Sequence, residues 1–392
     1  MIAESVGFST ARLNRLDSVL QRHIDRGAMP GTHLVIWRDG HSAYDKTFGL
    51  MDVASRKPIQ PDTIYRIYSM TKPIASIAAM MLWEECCFQL GDPIDMYLPA
   101  FKDLTVYVSA NERASLERPV TIKDVLMHTA GFTYENDGSD PVDKLNRDAD
   151  LRDPNLTYEQ WAQRLGQLPL VTQPGKAFRY SLSPSIVSYL VEVVSGMAFD
   201  DFLQQRLFGP LGMVDTAHYV PENKLDRAAT LYGSGNYVIE QQPITEPPVR
   251  PQGDSGLFST TADYLRFCRM LLNGGELDGA RILGPRTVAY MATNHLPAEL
   301  LPFMVGVNPH PGYGFGLGVE VMIDPPAAGV LHSVGAYGWG GLASTYFRID
   351  PLEGIIIIKM AQIIHRDEAG NAVVSRNANA DIHTVAYQAL VD

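Results

Sequence analysis

The stretch Tyr65-Arg66-Ile67-Tyr68-Ser69-Met70-Thr71-Lys72-Pro73 is the part of this chain from which the rest can be read. At its centre is a Ser-x-x-Lys, and the residues behind it keep a helical pattern until Gly91 and Asp92-Pro93 end it. The pattern predicts a long helix over 69–90 that begins at the serine. Residues i and i+3 share one helical face, so the Lys72 amine can reach the Ser69 hydroxyl, and the helix N-terminus favours developing negative charge. A lysine buried there loses the hydration of its cation and can titrate low enough to take part in proton transfer. The tetrapeptide alone also describes a surface helix cap followed by a solvated lysine, so its meaning depends on the surroundings.

Upstream, Leu13, Leu16, Leu20 and Ile24 recur at spacings of three and four, which predicts an amphipathic helix over 9–26. Residues 32–37 read as a strand, Asp39-Gly40 as a type I′ hairpin turn, and 41–50 as the returning strand. Downstream, short helical segments at 122–127, 158–165, 184–195 and 199–207 alternate with Pro- and Gly-rich loops. A helix at 261–273 follows, then strand-like segments at 316–323, 345–349 and 354–361, and a closing helix at 380–391. The expected class is α/β (α+β), in which the strands from both ends share one sheet. The expected organisation is a body of residues 1–100 and 251–392, with an inserted α-helical subdomain at 101–250.

Composition narrows the function. Among 392 residues, 32 Lys+Arg against 44 Asp+Glu give a net charge of −12, which disfavours nucleic acid as a partner. No apolar run approaches the ~18 residues needed to span a bilayer, and no membrane partner is expected. The acidic N-terminal residues lack the basic start of a signal peptide, which makes a cytoplasmic location the expectation. Cys86 and Cys87 lie within the helical pattern and Cys268 is remote, so reduced, buried thiols are expected rather than disulfides or a metal site. There is no H-E-x-x-H, no P-loop and no dinucleotide-binding glycine motif. The hydrolase elbow G-x-S-x-G is missed by one glycine at both Leu331-His332-Ser333-Val334-Gly335 and Gly253-Asp254-Ser255-Gly256-Leu257. No cofactor and no metal is implied.

Two further segments give the Ser-x-x-Lys a setting. Arg179-Tyr180-Ser181-Leu182 places a tyrosine just ahead of a helix, where its phenol can complete a proton network with Ser69 and Lys72. Tyr337-Gly338-Trp339-Gly340-Gly341-Leu342 sets glycines at a strand edge, where substrate can approach the backbone and the N–H groups of Leu342 and Ser69 can form an oxyanion hole. Trp339 is a candidate pocket wall for an acyl or alcohol group, alongside Gly340 and Gly341. His128 and His332 lack ligand-like spacing and read as loop-bracing or exposed groups. Asp254 and Lys176 read as solvated or structural.

Together with Leu126-Met127-His128-Thr129-Ala130-Gly131, Ser255-Gly256-Leu257-Phe258-Ser259-Thr260 and Ile349-Asp350-Pro351, these segments resemble the family VIII carboxylesterases over nearly the whole chain. Those enzymes are serine hydrolases related to class C β-lactamases and DD-peptidases. The resemblance implies a mostly antiparallel sheet flanked by helices, with the active site between it and the helical subdomain. It implies Ser69 as nucleophile, Lys72 and Tyr180 as the acid/base pair, and the Ser69 and Leu342 N–H groups as oxyanion donors. β-Lactamases carry Tyr-x-Asn and Lys-Thr-Gly, whereas this chain has Leu182 and Trp339-Gly340-Gly341, which points away from charged lactams. The expected function is hydrolysis of short neutral carboxylic esters, with a small-molecule ester as the partner. β-Lactam or D-amino-acid peptide cleavage and acyl transfer are alternatives on the same scaffold. A non-catalytic binding member would be expected to have lost one of Ser69, Lys72 and Tyr180.

Overall fold

The computed structural model describes residues 2–134, 140–235, 237–239, 244–366, 372–373 and 376–391. Its centre is an eight-stranded antiparallel sheet made from both ends of the sequence. The strands are β1 (Gly31–Arg38), β2 (His41–Asp52), β3 (Lys57–Pro58), β4 (Tyr313–Phe315), β5 (Glu320–Met322), β6 (Tyr337–Gly340), β7 (Tyr346–Asp350) and β8 (Ile355–Met360). Their order is β4-β5-β6-β7-β8-β1-β2-β3. The two chain ends meet at the β1–β8 seam, where His33 pairs with Met360 and Arg38 with Ile355. Asp39 and Gly40 have φ of 47° and 86°, as a type I′ turn requires. The segment expected as one strand at 316–323 is instead a hairpin. Phe315 pairs with Glu320 across a turn that contains Gly318 at φ 90°, a left-handed conformation open to glycine.

Residues 34–37 of β1 and 355–358 of β8 are apolar without alternation because both faces of the sheet are covered. On the front face, Val35, Trp37, Ile356 and Ile358 join the main core. On the back face, Leu34, Ile36, Ile355 and Ile357 pack with Leu16, Leu20 and Ile382. Each such aliphatic side chain contributes about 1.5–3 kcal/mol by burial. The back is covered by α1 (Arg15–Asp25) and by the C-terminal helix Arg376–Gln388. The helix expected over 9–26 breaks at Asn14, after a short piece Thr10–Leu13 capped by the Ser9 side chain.

The front carries α2 (Thr71–Glu84), α3 (Ser183–Ser195) and α4 (Thr261–Leu272). Residues Thr71 to Leu82 of α2 are all buried, because the helix lies between the sheet and α3. It ends earlier than its pattern suggests. The Cys86 and Cys87 N–H groups close back onto the Trp83 and Leu82 carbonyls, and Cys86 takes φ 60°. Both thiols are consequently exposed rather than buried in a helix, and only Cys268 is buried. Between α2 and α3 the chain forms short helices and a hairpin, Thr105–Ser109 with Glu112–Ser115, that no pattern in the sequence indicates. A single apolar cluster includes Ile77, Leu126, Ile186 and Phe202, so the middle third shares the core of the body. No helix among the described residues is long and apolar enough to cross a membrane.

Candidate active site

Ser69 lies in a 3-10 turn, Tyr68–Met70, that leads directly into α2. Tyr68 has φ 44°, a conformation costing on the order of 1 kcal/mol for a non-glycine residue, and its neighbours hold it there. Ile67 donates its N–H to the Leu257 carbonyl at 3.0 Å and accepts from Thr345 Oγ1 at 3.3 Å. The Tyr264 hydroxyl holds the Met70 carbonyl at 2.9 Å. A Cβ on Gly341 would fall 2.3 Å from the Ile67 carbonyl oxygen, so only glycine lets the edge after β6 press this closely against the turn. Ser69 is left half-buried.

The i, i+3 geometry expected from the sequence is realised, with Lys72 Nζ 3.3 Å from Ser69 Oγ. Lys72 is 1% exposed. Its amine also reaches the Tyr134 hydroxyl at 2.7 Å and the Asp254 main-chain carbonyl at 2.6 Å. Tyr134 in turn donates to Asp254 Oδ2 at 2.9 Å, and Ser185 Oγ donates to Asp254 Oδ1. Burial, reinforced by the Asp254 carboxylate, pushes the Tyr134 hydroxyl well above the usual phenol range, so it remains protonated.

Tyr180 approaches the same amine with its ring, whose centroid is 4.7 Å from Lys72 Nζ. Its hydroxyl accepts from Trp339 Nε1 at 3.3 Å. Trp339 is buried and packs edge-on to Phe315, with ring centroids 5.4 Å apart. His128 holds the tyrosine segment from both sides. Its carbonyl accepts from Arg179 N at 2.7 Å and its Nδ1 accepts from Ser181 N at 3.2 Å. An accepting Nδ1 places the ring proton on Nε2. Burial, with Lys72 nearby, holds the imidazole well below its usual range, and therefore neutral. The expectation of a bracing role fits His128, though it is buried. His332 is buried too, on the back of the sheet against His383. Lys176 is exposed and pairs with Glu117 at 3.3 Å.

Leu342 is exposed in the turn after β6, closed by Gly341 N to the Thr345 carbonyl at 2.8 Å. Gly340 is half-buried and Gly341 buried at the same edge. A cavity of about 580 Å³ opens at the far end of α2, between Met81, Glu84, Arg206 and Arg281. Its arginines already pair with Glu85 and Glu276, and it holds no nucleophile.

The Beta-lactamase family matches residues 16–380. This chain belongs to that family. Protein Rv1367c of Mycobacterium tuberculosis is 32% identical over 361 residues, which is 86% of this chain and 87% of the relative. Esterase EstB of Burkholderia gladioli is 27% identical over 389 residues, covering 92% and 93% of the two chains. The solved structure of EstCE1, described as a hydrolase with promiscuous acyltransferase activity, superposes with a TM-score of 0.81 at 25% identity, over 96% of this chain and 99% of that one. The fold is the β-lactamase/transpeptidase-like one that the motifs implied, and the reaction is that of a serine hydrolase superfamily.

Two residues in this Beta-lactamase-family site were not anticipated. Tyr134 is 62 positions from Lys72 and belongs to no motif. Asp254, expected to be solvated or structural, is buried and joined to Lys72 through Tyr134. It reaches the site because Gly253 packs without a side chain against α3, where a Cβ would lie 1.8 Å from Ser188 Oγ. The only sequence signal was the glycine pair flanking Asp254-Ser255, which marks a close backbone approach but not its target.

Proposed function

We propose that this protein is a carboxylesterase of the family VIII type that hydrolyses short, neutral esters through an acyl-enzyme on Ser69. The observation that supports this most directly is the half-buried Ser69 hydroxyl 3.3 Å from a buried lysine amine. In acylation, the Ser69 Oγ–carbon bond forms while the hydroxyl proton passes to the Lys72/Tyr180 pair. The carbonyl oxygen takes the developing charge between the Ser69 and Leu342 N–H groups. Collapse breaks the carbon–oxygen bond to the alcohol, which leaves with a proton, and water then releases the acid by the same steps in reverse.

The preference for neutral esters rests on Trp339, which the resemblance to the family VIII carboxylesterases sets in the place of the lysine of the β-lactamase Lys-Thr-Gly. A substrate carboxylate there lacks a cationic partner, a loss of about 1.5–3 kcal/mol, or about 10- to 150-fold. The indole, with Gly340 and Gly341 beside it, offers apolar area for a short acyl or aromatic alcohol group. The exposed Cys86 and Cys87 thiols suit the reducing cytoplasm, the location this reading assigns.

The test is mass spectrometry after treatment with a fluorophosphonate or p-nitrophenyl acetate, with the adduct mapped. A single adduct on Ser69 is expected, and no adduct there would favour a binding module. Acyl transfer is the second reading, favoured by the activity named for EstCE1. It predicts faster product formation and an acylated alcohol when a second alcohol is added.

A further inference from the structure

The hydrogen-bond arithmetic around Lys72 is more restrictive than the acid/base pair alone. Tyr134 has one proton and two neighbours, the Lys72 amine at 2.7 Å and Asp254 Oδ2 at 2.9 Å. A carboxylate only accepts, so the phenol proton points at Asp254 and the phenol oxygen must accept from Lys72. The Asp254 carbonyl, at 2.6 Å, accepts a second lysine proton. A neutral amine has two N–H bonds and one lone pair. In the ammonium form the third N–H points at the remaining neighbour, Ser69 Oγ; in the neutral form, with both N–H bonds directed at Tyr134 and Asp254, the lone pair takes that place. Tyr180 is arranged differently. Its oxygen accepts from Trp339 Nε1, which leaves its own proton available to donate.

Building on the esterase reading, we infer that Asp254 is the positioning residue of this site: by orienting the Tyr134 proton it turns the Lys72 lone pair toward Ser69. Lys72 is then the base that takes the Ser69 proton and, as the ammonium, returns it to the departing alcohol, while the Tyr180 hydroxyl, free to donate, stabilises the leaving oxygen. Asp254 is well fixed for this task. It is buried, its other carboxylate oxygen accepts from Ser185 in the first turn of α3, and three residues on Leu257 N donates to Thr71 Oγ1 at 3.2 Å. The groups facing Lys72 are Ser69, Tyr134, Tyr180, Asp254 and the neutral ring of His128, with Arg152 acting on Tyr134 from further out.

The experiment measures the fluorophosphonate labelling rate of Ser69, with kcat and KM for p-nitrophenyl acetate, in wild type, Asp254→Ala, Asp254→Asn, Tyr134→Phe and the Tyr134→Phe/Asp254→Ala double variant. Asp254→Ala should lower kcat and the labelling rate on the order of 100-fold with little change in KM. Asp254→Asn, whose amide oxygen still accepts from Tyr134, should recover about tenfold of that loss. In the Tyr134→Phe background, removing Asp254 should cost no more than about twofold, because the phenol through which it acts is gone. Asp254→Asn should leave KM close to the wild-type value, because the change acts on the proton network and not on substrate binding. That variant is isosteric and keeps the test available if the alanine variant does not fold. Labelling of Asp254→Ala at the wild-type rate, a full multiplicative loss in the double variant, or no recovery in Asp254→Asn would each overturn the inference alone. A wild type that is never labelled at Ser69 would overturn the esterase reading and the inference with it.

Discussion

Lys72 and Lys359 are both 1% exposed, yet the two faces of the sheet treat them in opposite ways. In the front layer, Lys72 meets three oxygens within 3.3 Å and points at a serine. On β8, Lys359 follows the alternation of Ile355 and Ile357 onto the back face, where burial alone pushes its ammonium down to about 7. Tyr346 of β7 lies across from it, its charge reaches His383 of the C-terminal helix and His365, and the same face buries Arg348, Asp350, His332 and Tyr387. Arg348 donates to Glu320 and to Tyr346, and Glu320 also holds His310 Nδ1 at 2.9 Å. The back face therefore buries an ion-paired cluster centred on Arg348 and Glu320, and among the described residues no serine hydroxyl bonds the Lys359 amine. A buried lysine marks chemistry only when an attackable hydroxyl and accepting oxygens surround it. Otherwise it is a charge whose desolvation the fold must offset.

The comparison predicts that front-face changes alter turnover and leave stability alone. Ser69→Ala is the sharpest case. Ester hydrolysis should fall by about 10⁴-fold or more while the melting temperature stays within a few degrees, since one hydroxyl is lost and little packing. Turnover assays with p-nitrophenyl acetate and a thermal melt check this, and retained turnover would break the comparison. Next come Lys72→Ala and Tyr180→Phe. Each should lower kcat by about 10²- to 10³-fold, and the double variant should fall well short of the product of the two, because both serve one proton network. A double-mutant cycle on a neutral ester decides the point.

How much of this was legible beforehand depended on how local the signal was. The Ser69–Lys72 pair, the Asp39-Gly40 turn and the β1–β2 hairpin are set by residues adjacent in sequence, and they formed as read. Tyr180 and Trp339 were found through their motifs, although the indole-to-phenol hydrogen bond that joins them spans 159 positions. Tyr134 and Asp254 were not legible because their roles exist only after α2, α3 and the 251–257 loop have packed. The early end of α2 was hidden for another reason. Cys86 and Cys87 continue an acceptable helical pattern, and only the left-handed turn at Cys86 stops it. The back-face cluster was also illegible, because Glu320, Arg348, His332 and His383 come from four separate segments.

Back-face changes should do the reverse. Glu320 is buried, which alone would raise its pKa, but Arg348 and His310 hold it down to about 2. Its folded value is below the ordinary 4.5, so the stability it contributes is present above about pH 4.5 and is lost as the pH falls toward 2. Burial and Arg348 likewise hold His332 down to about 3, so the unfolded chain takes that proton first and stability declines as the pH drops below 6.5. Glu320→Gln should cost about 3 kcal/mol or more at pH 7, since Arg348 loses its buried partner, and the variant should lose less stability between pH 4.5 and 2 than the wild type does. Chemical denaturation at several pH values measures both effects, while kcat/KM for esters should stay within about twofold.

Lys359→Met is a smaller test with the opposite sign. The wild-type ammonium is lowered from 10.5 to about 7, so between those values the unfolded chain binds a proton that the folded chain does not. Stability should accordingly rise with pH from 7 to 10.5 in the wild type. Methionine removes the desolvated charge and should stabilise the protein at pH 7 by about 1 kcal/mol or more, with the rise above pH 7 abolished. Unaltered stability at pH 7 would mean that the charge is compensated on the back face after all.

The smallest effect should come from Trp339→Phe, which separates two things the indole does at the front. Its ring fills space against Phe315 and Tyr180, with centroids 5.4 and 5.5 Å away, and a phenyl ring preserves much of that contact. Its Nε1–H is different, because it donates to the Tyr180 hydroxyl at 3.3 Å and phenylalanine has nothing to replace it. A hydrogen bond of this kind contributes about 0.5–1.5 kcal/mol net, so kcat should fall only about 2- to 13-fold. The fall should vanish in a Tyr180→Phe background, where the phenol that receives the bond is already gone. KM for p-nitrophenyl butyrate should rise modestly, because the smaller ring gives up apolar contact area. Measuring kcat and KM for both variants and their combination assigns the two roles separately. If kcat fell equally with and without the Tyr180 hydroxyl, the tryptophan would act on turnover through packing alone, and the front network would end at Tyr180.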